Sequence, residues 1–295
     1  MECLRIGQWM GYNGTYGAFA PLPHEMRAWS VNLFGRLQLW INWLQTDPLQ
    51  FFIYLVYLVT SVLLALMLHE IAHGYVAYRC GDPTAKMLGR LTLNPLKHLD
   101  PFGTACMFLL GFGWAKPVPV NPRNFSNFRR DDFLVSVAGI ATNISLFIIS
   151  TALAVGLNGL LWKPEVIQRY GASALLSSNG LGFSILISGQ GSTYEAAMKT
   201  PWLQYVQRFL LLFSSINLGL GIFNLLPIPP LDGFHIVNDL LLRGKLYMSR
   251  QFFQGAQIVL MVLVFSGFLS GLMSTVMGAV ESGVINVFLR LTGAA

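Results

Sequence analysis

Phe51 to Leu68 is a run of eighteen uncharged, largely apolar residues that passes without a break into His69-Glu70-Ile71-Ala72-His73. A run of that length reads as a membrane-spanning helix, and ionisable groups inside such a helix are costly enough to mark function. His69 and His73 lie four residues apart, so their rings share one helical face about one turn apart, a spacing that offers two nitrogens to one zinc ion. Glu70 is rotated by roughly 100° from His69. It is poorly placed as a further ligand there, but well placed as a base for a water that the metal activates. A lone histidine on an apolar face is usually a core residue. Two histidines and a glutamate at this spacing in hydrocarbon point to a metal.

Composition agrees with a membrane setting. The 295 residues are 54% hydrophobic and only 11% charged, where soluble proteins carry about 25% charged residues. The expected fold is an all-α polytopic membrane protein. The net charge of +6 is read as basic loops facing an anionic leaflet. No basic run interleaves with aromatics, so nucleic acid is not expected as a partner. Cys3, Cys80 and Cys106 form no spaced pair, which argues against a disulfide framework or a thiolate zinc site. Met1 to Ala20 lacks a basic start followed by an apolar core, so no cleavable signal peptide is expected.

About four spans are expected, near 51–78, 133–161, 203–226 and 255–280. Residues 1–50 form an N-terminal segment in which Val31–Gln45, with its Trp pair among polar residues, suits a helix lying in the interface. Asp47-Pro48 makes an N-cap and first helical position for the first span. Residues 79–132 carry eight Lys/Arg against four Asp, the pairs Asn94-Pro95, Asp100-Pro101 and Asn121-Pro122 among others, and a short apolar piece, Ala105–Phe112. They read as a re-entrant or β-hairpin loop, with short strands at Leu91–Leu93 and Val118–Val120. Asn143 lies inside the second span and needs a partner, either as glue between helices or as a donor towards the site. Residues 162–202 read as a loop with partial helix.

Asn217 and Asn224 fall in the third span, which Pro227, Pro229 and Pro230 stop. Asp232 follows at once. A carboxylate beside a proline-broken membrane helix is a natural third ligand, with an N-cap role or His235 as competing readings. In the last span, Gly267 and Gly271 offer a small-residue packing face. Residues 281–295 read as a tail too short to cross, leaving 51–280 as a single domain. Basic residues in 79–132 and in 227–254 (Arg243, Lys245, Arg250) put both loops on the cytosolic side. The first and third spans then deliver His69, His73 and Asp232 at one depth, near the cytosolic face of a cell inner or plasma membrane.

Taken together, HEIAHG (69–74), GDPTAKMLGRLTLNPLKHLDPFGT (81–104), GWAKPVPVNP (113–122), AGIATN (138–143) and FNLLPIPPLDG (223–233) resemble the site-2 protease family of intramembrane zinc metalloproteases, peptidase family M50. The resemblance covers roughly residues 51–240 and is closest to the short prokaryotic branch without a PDZ domain. It implies one zinc per chain held by His69, His73 and Asp232, with Glu70 as general base. Asn143 corresponds to the family's polar residue near the substrate carbonyl, and Ile140 departs from the usual Pro of that motif. The implied activity is hydrolysis of a peptide bond in or near the transmembrane helix of a membrane-protein substrate within the lipid bilayer. The rival readings are a metal- or proton-coupled transporter, for which no internal inverted repeat is visible, and a non-catalytic substrate-binding relative, which would lack the base or a ligand.

Overall fold

The computed structural model of the chain describes residues 33–101, 103, 115–243 and 249–293. Helix α1 covers Leu33–Thr46 and α2 Pro48–Arg79. Between them Asp47 accepts the Gln50 N–H at 3.1 Å, with Pro48 in the first helical position, as Asp-Pro chemistry dictates. Trp43 folds onto Phe51 and Tyr54 of α2, with ring centroids 5.9 and 5.1 Å apart.

After a short turn of helix, α3 (Thr84–Met87), the chain crosses back as α4 (Phe128–Leu161). Three short helices follow: α5 (Pro164–Tyr170), α6 (Ala172–Leu176) and α7 (Leu181–Ile187). A 3-10 segment, Gln190–Ala197, completes a pair bent by 102° at its break. The chain then runs through α8 (Leu203–Asn224), α9 (Asp232–Leu240), α10 (Arg250–Phe265) and α11 (Phe268–Thr292). Among the described residues, four helices are long and apolar enough to cross a membrane: α2, α4, α8 and residues 271–292 of α11. The protein is an all-α, multi-pass membrane protein.

Helix α8 is the innermost, with 61% of its most apolar window buried against 28% for α2. It packs most extensively along α4, and α2 lies against both. The α4–α8 seam carries polar pairs at three levels: Gln207 on the Ala154 carbonyl at 3.2 Å, Ser214 with Thr151 at 2.7 Å, and Asn217 with Asn143 at 2.9 Å. Positions 207, 214, 217 and 221 return to one helical face, so the seam follows helical periodicity. Apolar residues outside this seam, such as Phe52, Val56, Ile149 and Leu153, are exposed, as lipid contact requires of a span with all backbone bonds satisfied internally.

Three expectations need correction. Among the described residues there is no strand, only isolated bridges joining Leu99 to Ala115 and Trp162 to Met198. Leu91–Leu93 is a bend, and 117–120 has no regular secondary structure. The apolar piece 105–112 and the segment 1–30 lie outside the described residues. The last span is shifted: helix breaks at Ser266-Gly267, with Gly267 at φ +77°, and resumes to Thr292. A single helix over 255–280 and a tail from 281 are therefore both replaced, because a left-handed residue ends one helix and the apolar pattern continues past it. A Cβ at Gly267 or Gly271 would meet nothing within 4 Å, so these glycines make no close packing face here.

The proline-bounded turns after α2 converge on one carboxylate. Asp82, fully buried, accepts from the Thr84 and Asn121 N–H groups at 3.1 and 2.7 Å, from the Asn124 side-chain amide at 2.7 Å and from the Thr84 hydroxyl at 2.5 Å. Burial pushes its pKa up, but these hydrogen bonds outweigh that and hold it below the ordinary carboxylate value. Its stabilisation is therefore full above the unfolded pKa and is lost as pH falls through the lowered folded value. Asp82→Ala, which orphans several donors, is expected to cost about 3 kcal/mol or more. A lowered thermal midpoint at neutral pH checks this, and an unchanged midpoint rejects it.

Candidate metal centre

The membrane helices bring together His69 and His73 of α2 with Asp232, the first residue of α9. These three form the one group of His, Cys, Asp or Glu among the described residues whose ligand atoms cluster closely enough for a metal. The two Nε2 atoms lie 2.9 Å apart, and each is 3.3 Å from Asp232 Oδ2. Donor atoms bound about 2.0–2.1 Å from a tetrahedral zinc stand about 3.3 Å apart, so the spacing fits one ion.

Protonation makes the same point. His69 Nδ1 meets Asn143 Oδ1 at 2.5 Å, and His73 Nδ1 meets the Val135 carbonyl at 2.7 Å. Both partners accept only, so each Nδ1 carries the hydrogen, which leaves each Nε2 as the ligand atom for a bound metal. Asp232 Oδ2 is buried with no hydrogen-bond donor. Three potential ligand atoms thus converge, and a cation held among them would compensate the Asp232 charge.

Local sequence explains how each ligand arrives. Glycine at 139 in α4 lets the histidine rings lie directly against that helix: a Cβ there would overlap both rings. Gly139→Ala, though helix-compatible, is therefore expected to weaken zinc binding by roughly 10- to 100-fold, with helical content retained by circular dichroism. Unchanged zinc affinity would show that the rings have room to move. Asp232 is not an N-cap. That position is Leu231, and no side-chain cap bond is made there. His235 lies outside this group, with Nδ1 3.1 Å from Asp132 Oδ2. Beside it, burial and the neighbouring Asp132 push the Asp239 carboxyl up to about 6.

Glu70 follows His69 on α2, rotated from it by roughly 100°, and its Oε2 accepts the Val118 N–H at 2.7 Å. The loop that follows α2 thus returns to hold the candidate base. Asn143, aimed by resemblance at a substrate carbonyl, is fully buried. Its amide nitrogen donates to Asn217 Oδ1 at 2.9 Å and lies 3.5 Å from the Ala65 carbonyl, while Asn217 donates to the Phe213 carbonyl at 2.8 Å. Sequence reading singled out Asn143 and Asn217 separately and missed that they are joined. The 207–214–217–221 periodicity was the available signal. Gly139, the Val135 carbonyl and the Val118 N–H were also missed, the last two because a backbone group has no residue signature.

Comparison with known proteins agrees with this chemistry. The model of peptidase family M50 matches residues 57–267. YwhC of Bacillus subtilis (strain 168), a relative named for zinc metalloprotease character, is 36% identical over 232 residues, covering 79% of this chain and 90% of that protein. Rip2 of Mycolicibacterium smegmatis, named likewise, is 29% identical over 149 residues, 49% of this chain and 56% of Rip2. Rip2 of Mycobacterium tuberculosis (strain H37Rv) is 28% identical over 143 residues, 46% of this chain and 54% of its own. No solved structure matches the chain.

Proposed function

This chain belongs to peptidase family M50 and is a zinc metalloprotease; from that premise we propose that it is an intramembrane endopeptidase, cutting membrane-protein substrates in or beside a transmembrane helix. One observation carries the proposal. The three converging ligand atoms lie at the end of a membrane-length helix, about 30 Å of rise from its start, with a carboxylate one residue from the first of them.

Zinc at this centre supplies Lewis-acid chemistry, polarising a carbonyl and acidifying a water. His69 and His73 present the inward Nε2 atoms, and Asp232 adds the negative charge that partly balances the ion. Glu70, held through Oε2 by Val118, keeps its other oxygen as the basic site and takes a proton as the water attacks. The same group can return that proton to the departing amine. Asn143 acts as a positioning residue: it fixes the His69 tautomer and is itself fixed by Asn217.

A helical substrate hides its carbonyls in i→i−4 bonds and must unwind locally to be cut. The segment 117–120 beside Glu70 is the place to receive it, with one restriction. The Val118 N–H is committed to Glu70, Pro117 and Pro119 have none, and the Pro117 carbonyl already accepts from Arg90 at 3.2 Å, so this segment offers an unwound strand the Val118 and Pro119 carbonyls as acceptors and no donors. The basic loops at the metal end assign that end to the cytosolic face of an inner or plasma membrane. The test is to incubate the zinc-loaded protein in bilayers with a single-span substrate and map the product termini by mass spectrometry. New termini inside or within a few residues of the span are expected. Zinc-dependent cuts confined to remote soluble segments would reject an intramembrane role.

A further inference from the structure

A second polar feature lies at the other end of the bundle. A cavity of about 80 Å³ is lined there by Gln50, Leu186, Gly189, Ser192, Gln204 and Arg208. Gln50 precedes His69 by nineteen residues of one unbroken helix, about 28 Å of rise, so this cavity is remote from the metal centre.

Arg208 is the notable group. It sits in the second turn of the innermost span and is only 3% exposed. Its Nη2 donates to the Ile187 carbonyl at 2.8 Å, its Nη1 lies 3.4 Å from Gln50 Oε1, and the Tyr57 ring centroid is 4.9 Å from Cζ. Its Nε is buried with no partner. No carboxylate among the described residues forms an ion pair with it. Carbonyls and aromatic faces offset part of the cost of a buried cation, but they leave its charge uncompensated. The remaining lining supplies hydroxyl and amide groups, which suit an oxyanion. Beside the cavity Trp202 and Tyr205 are exposed, the arrangement of aromatic side chains that sit at headgroup level.

We propose that the Arg208 cavity binds a phosphate oxyanion, that of an anionic phospholipid headgroup in the leaflet opposite the metal centre. The guanidinium supplies the charge, Ser192 and the glutamine amides the added hydrogen bonds, and the exposed aromatic rim admits the headgroup from lipid. The occupied site ties the start of α2, the 3-10 segment after α7 and the start of α8 to one ligand.

The experiment uses the full-length, zinc-loaded protein in detergent, with retained lipid measured by native mass spectrometry after exchange against phosphatidylglycerol or phosphatidylcholine. Wild type is expected to retain phosphatidylglycerol about tenfold or more over phosphatidylcholine. Arg208→Gln and Ser192→Asp are each expected to lose that preference at unchanged zinc content. Ser192→Asp keeps the guanidinium and supplies an internal carboxylate, so it decides the matter if Arg208→Gln does not fold. A parallel arm measures thermal stabilisation by inorganic phosphate against chloride at equal ionic strength. Phosphate stabilisation that both variants abolish, without a lipid preference, keeps the oxyanion site and assigns it to free phosphate. Equal lipid retention and equal phosphate response in wild type and Ser192→Asp overturn the proposal.

Discussion

Glu70→Gln is expected to keep zinc at the wild-type stoichiometry while lowering cleavage of a single-span substrate by roughly 10²–10⁴-fold, the usual contribution of a positioned general base. The substitution is nearly isosteric, and the Val118 N–H can still donate to the glutamine oxygen at the position where Glu70 Oε2 sits at 2.7 Å. The loop should therefore stay in place. The three inward-facing ligand atoms do not include Glu70, so zinc content has no reason to fall. What is lost is the basic oxygen. Metal analysis of the purified variant paired with single-turnover cleavage separates the two effects. Activity at the wild-type level would remove Glu70 from the role of base, and loss of zinc together with activity would make it structural.

Asp232→Ala is the second large effect. Removing it leaves two imidazole Nε2 atoms 2.9 Å apart and no anion beside them. Zinc affinity, measured by competition with a chelator, is expected to fall by roughly 100-fold or more, beyond the range seen when only a supporting group is lost. His235→Ala is the matched control. It lies on the same short helix three residues later, yet its imidazole pairs with Asp132 at 3.1 Å, so its removal should leave zinc affinity essentially unchanged. The reverse order would transfer the ligand role from Asp232 to His235.

How much could be read from the chain alone differs sharply between these elements. The spans were legible because a membrane imposes a length and an apolar composition on each helix separately. Pro48–Arg79, Phe128–Leu161 and Leu203–Asn224 extend their expected bounds by only a few residues or stop just short of them. The last span was misjudged because hydropathy does not register a single left-handed residue: 255–280 reads as one apolar stretch, while the backbone turns at Gly267. The strands expected near 91–93 and 118–120 failed for a related reason. Alternation and proline boundaries suggest extension, but pairing needs donors, and this segment has prolines at 117 and 119 and a Val118 N–H taken by Glu70.

His69, Glu70 and His73 were determined by sequence alone, because helical geometry places residues four apart on one face whatever surrounds them. Only the tertiary structure decided the rest: that Asp232 and not His235 meets both histidines, that Asn143 turns its amide to His69 and Asn217, that a glycine at 139 makes room for the rings, and that a loop N–H steadies Glu70. Each of these joins residues more than forty positions apart. Their meeting depends on how α2, α4 and α8 pack, and no local periodicity encodes the rotation of one helix against another.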